Sequence, residues 1–270
     1  MTPSRILLTI LLLFNVSSLA LADDDSSFAE SYARVPEKMH GLDAWKKHKA
    51  VEYDIVISFM GNRILDATTT FEIGSERVRL ELKNGTVMVW DGAQASISPA
   101  DAKSPGMPPR FHLRTWTYFF TAPFKLRDPG VHLAPADDVP FRDGEPLYPG
   151  LTAKMTFGEN VGDAPDDWYI VYTHGKERWI DAMAYIITYG TSAEAAEKEP
   201  HAIVYAGYEQ VDGVLLSTKW TFYHWSAEQG IYGDPIGDVT ISNIKFVEPT
   251  ADAFNMPADA RIDALPSAAP

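Results

Sequence analysis

The 270-residue sequence contains no cysteine. That excludes a disulfide framework, a thiolate metal site, a cysteine nucleophile and an acyl-cysteine anchor, so core burial and sheet pairing alone must hold the fold. Positive charge is also scarce: 23 Lys and Arg face 37 Asp and Glu, a formal net charge of -14. Such a surface repels nucleic acid and anionic membranes, and no basic patch interrupts it, so no nucleic-acid partner is expected. Catalytic signatures are missing too. There is no HExxH, no GxSxG, no P-loop and no Gly-rich dinucleotide fingerprint. His40 and His48 are eight apart, not the i, i+4 pair of a helical metal site, and Asp137, Asp138, Asp143, Asp163, Asp166 and Asp167 do not follow a twelve-residue calcium loop. No metal and no cofactor is expected.

What is present begins with a secretory pattern. Arg5 is the only charge before Asp23, Ile6 to Val16 is an apolar run, and Ala20-Leu21-Ala22 offers a small-x-small cleavage site. Residues 1–22 therefore read as a signal peptide. Its removal takes one positive charge from the net of -14, leaving -15. The mature chain is expected to be soluble, in the periplasm or secreted, and monomeric. With 46% apolar residues it has enough to bury a sizeable core.

Ser26 to His48 has helical spacing broken at Pro36 and Gly41, which predicts two short helices, the second over Leu42 to Lys47. After that the chain reads mostly as strands. Val51, Tyr53, Ile55, Ile57 and Phe59 alternate along a half-buried strand, and Gly61-Asn62, Asn84-Gly85, Asp91-Gly92 and Asp212-Gly213 are turn signals between strand-like runs. The exception is PPRFHLRTWTYFFTAPFKL, Pro108 to Leu126. Pro109 suits the first turn of a helix, Pro123 cannot continue one, and Leu113, Trp116, Phe120 and Phe124 form an apolar stripe, with Arg110, Arg114, Thr117 and Thr121 largely opposite. Ten or eleven strands joined by short turns predict one antiparallel meander, which must curl. The expected fold is mainly β with a few helices: a single large curved meander forming a half-open barrel, its concave face covered by the N-terminal and mid-chain helices. Residues 258–270 are expected to be a disordered tail, although Phe254 just before it is placed to dock on the sheet.

The pattern resembles the lipoprotein-carrier superfamily, the LolA/LolB-like periplasmic proteins. HGLDAWKKH (His40 to His48) before the first strand, FTAPFKLRDPG (Phe120 to Gly130) after the mid-chain helix, and NIKFVEPTADAFNMP (Asn243 to Pro257) at the close carry the likeness. It implies that residues 23–257 form an incomplete antiparallel barrel with helices over a greasy cavity that binds acyl chains.

A lipid ligand needs apolar surface removed from water and a few polar groups to orient its head. Trp116, Phe119, Phe120 and Phe124 of the aromatic segment supply the first, joined by Phe59, Phe71, Trp90, Trp220 and Phe222 from strands, while Arg114 and Arg110 are placed to meet an anionic head. The expected function is a carrier or binding protein for a lipid, acyl chain or lipoprotein, with a transient envelope protein as a further partner and no catalytic residue. The alternative is a hydrolase with a histidine and carboxylates, such as His174 with Glu177 and Asp181, at the barrel mouth.

Overall fold

The structure is a computed structural model that describes residues 19–136, 138–142, 151–159, 161–173 and 175–263, with side chains from residue 27 onward. These residues form one open, 13-stranded antiparallel sheet and a few helices. The first run of strands is β1 (Ala50–Phe59), β2 (Asn62–Glu72), β3 (Val78–Leu82), β4 (Val87–Trp90) and β5 (Ala95–Ser98). The second is β6 (Val131–Pro135), β7 (Thr152–Phe157), β8 (Tyr169–Thr173), β9 (Ile180–Tyr185), β10 (His201–Val211), β11 (Val214–Ser226) and β12 (Gly230–Val247), and the short β13 (Arg261–Asp263) comes last.

Within each run, strands pair in chain order, as short turns dictate. Chain order is interrupted twice, however, between β5 and β6 and between β12 and β13. The spatial order is β13-β5-β4-β3-β2-β1-β12-β11-β10-β9-β8-β7-β6, so the two runs join where β1 pairs with β12, and β5 and β6 lie near opposite edges. The connection between them is the aromatic helix α3, counted after α1 (Leu19–His40) and α2 (Leu42–Trp45) and spanning Pro109–Thr121. Both of its predicted ends hold. Its solvent face does not: Arg110, Thr117 and Thr121 are buried along with Phe111, Leu113, Trp116, Phe119 and Phe120. A helix crossing the concave side of a curved sheet meets protein almost all round, and the two threonines return their hydroxyls to backbone carbonyls one turn back, at Leu113 and Thr117.

At the N-terminal end, α1 runs through Pro36 without stopping, contrary to the two-helix expectation. Contacts on both sides of the proline hold it. Arg127 forms a fork on Glu37 (3.0 and 2.5 Å) and reaches Glu30 (2.6 Å), while Tyr32 donates to the Val171 carbonyl (2.7 Å). His40, the last residue, donates from Nδ1 to Leu215 O (2.9 Å) and accepts at Nε2 from the Ile180 amide (3.1 Å), tying the helix to β11 and β9. The helix does end at Gly41, whose φ of +80° and near-contact with the Gly213 carbonyl leave no room for a side chain.

Phe254 docks as expected, and residues 261–263, within the segment expected to be a disordered tail, form a strand. Phe254 is buried with the Arg77 guanidinium 4.9 Å above its ring, and β13 pairs with β5. Asp263 then accepts from the Arg110 amide (2.9 Å). The α3 N-cap is Pro108, which has no capping side chain, so a carboxylate from β13 serves the open amides of that helix end. Residues 264–270 lie outside the described residues, as do His174, Asp137 and Asp143.

Candidate functional site

Two clefts lie on either side of α3 and share Phe111, Thr115, Phe119 and Ile187 as a common wall. The helical repeat explains the arrangement. Phe111, Thr115 and Phe119 form the dividing row, one turn apart; Arg110, Arg114 and Tyr118 form the row on one side of it, and Trp116 lies on the other.

The apolar cleft, about 510 Å³, is closed by Phe59, Ile64, Trp116, Tyr185 and Ile236 beyond the shared wall, with His201 and Ala195–Ala196 of the short helix α4 (Ala193–Ala196) at its rim. Burial holds the His201 pKa below its usual value, and His224, its partner across the β10–β11 register (ring centroids 5.7 Å), pushes the same way. Phe59 lies over Gly237, where a Cβ would come within 2.6 Å of its ring, so the glycine lets this aromatic reach the cleft.

The polar cleft, about 300 Å³, is lined by Arg110, Arg114, Tyr118, Lys125, Tyr169 and Tyr189, with the carboxylates Glu76, Asp128, Asp163 and Asp167. Arg110 is a fork on Asp163, both contacts 2.5 Å, and lies over the Trp90 ring at 4.4 Å. Lys125 pairs with Glu76 and with Asp128 (3.0 Å). Asp167 accepts from the Thr188 amide and hydroxyl, both at 2.7 Å, yet burial raises its pKa to about 6.

The ten residues singled out from the sequence separate into three groups. Phe59, Trp116 and Phe119 line the apolar cleft, and Arg114 lines the polar one. Phe71 and Phe124 pack on Trp45 (6.2 and 4.5 Å between ring centroids), and Phe120 stacks on Tyr53 (4.1 Å). Trp90 lies beneath Arg110 and Arg114, and Phe222 and Trp220 are covered by Phe119. The last two groups are interior packing around α3 and line neither cleft. Phe111, Thr115, Tyr118, Ile187 and Ile236 were not foreseen. For the three on α3, the missed signal was the i, i+4 row beside the greasy stripe; Ile187 lies just past the end of β9, and Ile236 lies in the Gly- and Pro-containing start of β12.

Two histidines do structural work. His40 bonds two backbone groups, and burial lowers its pKa to about 4 against the Leu215 carbonyl, which pushes it up. His112, fully buried, donates from Nε2 to Pro105 O (2.8 Å) and accepts at Nδ1 from the Trp116 indole (2.9 Å), and burial lowers its pKa as well. Both rings have both nitrogens engaged. Among the described residues no three His, Asp or Glu side chains gather as a metal site, and no helix is long and apolar enough to cross a membrane.

Sheet, internal helix and flanking clefts together define a LolA-like half-barrel. No protein-family model and no curated protein matches the sequence. Among solved structures, the chain is similar to a LolA superfamily protein from Nitrosomonas europaea, with a TM-score of 0.51 and 7% identity over 84% of this chain and 97% of that one. A DUF1329 family protein from Desulfovibrio piger is a looser match, at a TM-score of 0.45 and 7% identity over 84% and 96% of the two chains. At this identity the first likeness establishes the fold.

Proposed function

We propose that this chain is a carrier or binding protein that holds the apolar part of a lipid, a free acyl chain or the acyl portion of a lipoprotein beside α3. The observation that carries this reading is the cleft of about 510 Å³ walled by Phe59, Ile64, Phe111, Trp116, Phe119, Ile187 and Ile236. Apolar surface that leaves water there gains about 25 cal/mol per Å², and the aromatic wall offers it without reorganising the sheet. The LolA-like fold supports the same reading. Residues 1–22 act in this proposal as an export signal, and the mature chain works soluble in the periplasm or outside the cell. It hands its ligand to an envelope partner.

Native mass spectrometry of protein taken from its own envelope tests the proposal: a bound lipid is expected, together with saturable binding of a fluorescent fatty-acid probe that Phe119→Ala weakens. Protein that is empty and ignores the probe ends the proposal.

A further inference from the structure

We infer that the polar cleft on the Arg110–Arg114–Tyr118 face of α3 binds the oxyanion head of a single-chain amphiphile, whose tail crosses Thr115 into the apolar cleft. This rests on the carrier reading and adds to it the head chemistry and the number of chains.

The head chemistry follows from which donors in the cleft already have acceptors. Arg110 is occupied by Asp163, and Lys125 by Glu76 and Asp128. Arg114 is left with one long contact, 3.5 Å to Glu76, a carboxylate that Lys125 already holds. A guanidinium has five N–H donors, and 3.5 Å lies beyond the usual length of a charged hydrogen bond. Two further donors have no acceptor: the buried hydroxyls of Tyr118 and Tyr189. A buried donor without a partner is costly and uncommon in folded proteins, so two of them beside an under-coordinated arginine, in one cleft, mark a place shaped for an acceptor-only group. A carboxylate or a phosphate is such a group. Each lining carboxylate makes its shorter contacts elsewhere, while Glu76 also touches Arg114 at 3.5 Å and the charges of Asp128 and Asp167 reach Tyr118. Glu76, Asp128 and Asp163 sit on Lys125 and Arg110, and Asp167 is held by Thr188. Asp167 alone has no cation, and it loses its charge near pH 6.

The number of chains follows from volume. At roughly 30 Å³ per non-hydrogen atom, the liquid-water share, about 510 Å³ holds about 17 atoms, which is one tail of sixteen to eighteen carbons. The polar cleft of about 300 Å³ holds about ten, the size of a carboxylate with its neighbours or a glycerol phosphate. One such tail accounts for the volume of the apolar cleft. Of the four side chains shared by the clefts, Thr115 is the smallest, and it is where a tail passes.

Isothermal titration calorimetry on delipidated protein tests this with hexadecanoate and a 16-carbon lysophosphatidate as the two oxyanion arms. Methyl hexadecanoate is the uncharged control, and dihexadecanoyl phosphatidate is the two-chain control. At least one oxyanion is expected to bind tenfold or more tighter than the ester, and the stronger arm identifies a fatty acid or a phosphate head as the source. Tyr118→Phe removes only the unpartnered hydroxyl and so should fold. Together with Arg114→Gln, each variant is expected to cost the oxyanion about tenfold, one charge-assisted hydrogen bond, and the ester nothing. Equal affinity for acid and ester, or variants that change nothing, overturns the head site, and a two-chain lipid bound as tightly as its one-chain counterpart overturns the single-chain reading; each leaves the carrier reading standing. If no 16-carbon ligand binds, the carrier reading falls too.

Discussion

His40 makes the fold sensitive to mild acid, by an amount that can be worked out. Its ring is 1% exposed, gives its Nδ1 proton to Leu215 O and needs a bare Nε2 to accept from the Ile180 amide. Protonating Nε2 would remove an acceptor and leave a cation in the core, which is why burial drops the pKa from 6.5 to about 4. The unfolded chain takes up the proton first, so between these two values it binds more protons than the folded one, and stability falls as pH falls. The contribution is fully present above about pH 6.5 and is lost by about pH 4. A shift of 2.5 units at 1.36 kcal/mol each sets a ceiling of about 3 kcal/mol, of which about 2 kcal/mol is lost between pH 7.5 and pH 5. Burial also lowers the pKa of His112 and His201, in the same direction, so the measurement is a difference between proteins. Urea unfolding of the wild type and His40→Gln at the two pH values is expected to show the wild type losing about 2 kcal/mol more than the variant. An NMR titration should show the His40 ring still neutral at pH 5.5. Parallel losses in the two proteins, or a His40 resonance that titrates near 6.5, would refute the reasoning.

Three other substitutions probe the site and its supports. Asp167→Asn keeps an acceptor for Thr188 and removes a carboxylate whose pKa is raised to about 6 by burial. Because a carboxyl with a raised pKa destabilises the folded state once it ionises, the variant should be more stable than wild type at pH 7.5, by up to about 3 kcal/mol, with the gap narrowing to about 1 kcal/mol at pH 4.5 in urea unfolding. Thr115→Trp adds bulk where the tail is proposed to cross between the clefts, so it should abolish binding of a fatty-acid probe with little change in the urea midpoint. Asp263→Ala removes the acceptor for the Arg110 amide and the negative charge at that helix end, and should cost about 1 kcal/mol in urea unfolding.

The sequence was most legible where local rules act alone. Pro109 and Pro123 bracket α3, period two marks β1, and Asp212-Gly213, both at positive φ, turn β10 into β11. It was least legible where distant segments decide. Pro36 costs α1 one backbone bond, but Arg127, ninety residues away, and His40 hold the helix beyond it. The start of β12 contains Gly233, Asp234, Pro235 and Gly237 and reads as loop, yet Gly237 is there because Phe59 lies on it. β13 looks like tail because nothing local reveals that α3 lacks a cap. The site was half legible for the same reason. An aromatic is greasy whether it packs or lines a cleft, and only the row of i, i+4 neighbours across α3 separates Phe119 from Phe120.

The break in strand order between β5 and β6 accounts for both the openness of the barrel and the position of the clefts. Had β5 led directly into a neighbouring strand, the two runs could have continued as one meander and closed on themselves. Instead β5 and β6 lie near opposite edges, and the chain between them has to cross the concave side. That crossing is α3, so the helix is the connection itself rather than an element laid over a finished barrel. In that place the helix packs on β3, β4 and β5 and takes Asp263 of β13 at its first turn. It also sets what remains empty. A cylinder in a curved trough leaves a slot along each flank, and the residues on each flank are fixed by the helical repeat: Arg110, Arg114 and Tyr118 on one, Trp116 on the other. The same crossover that keeps the barrel open therefore places a polar slot and an apolar slot side by side, divided by Phe111, Thr115, Phe119 and Ile187.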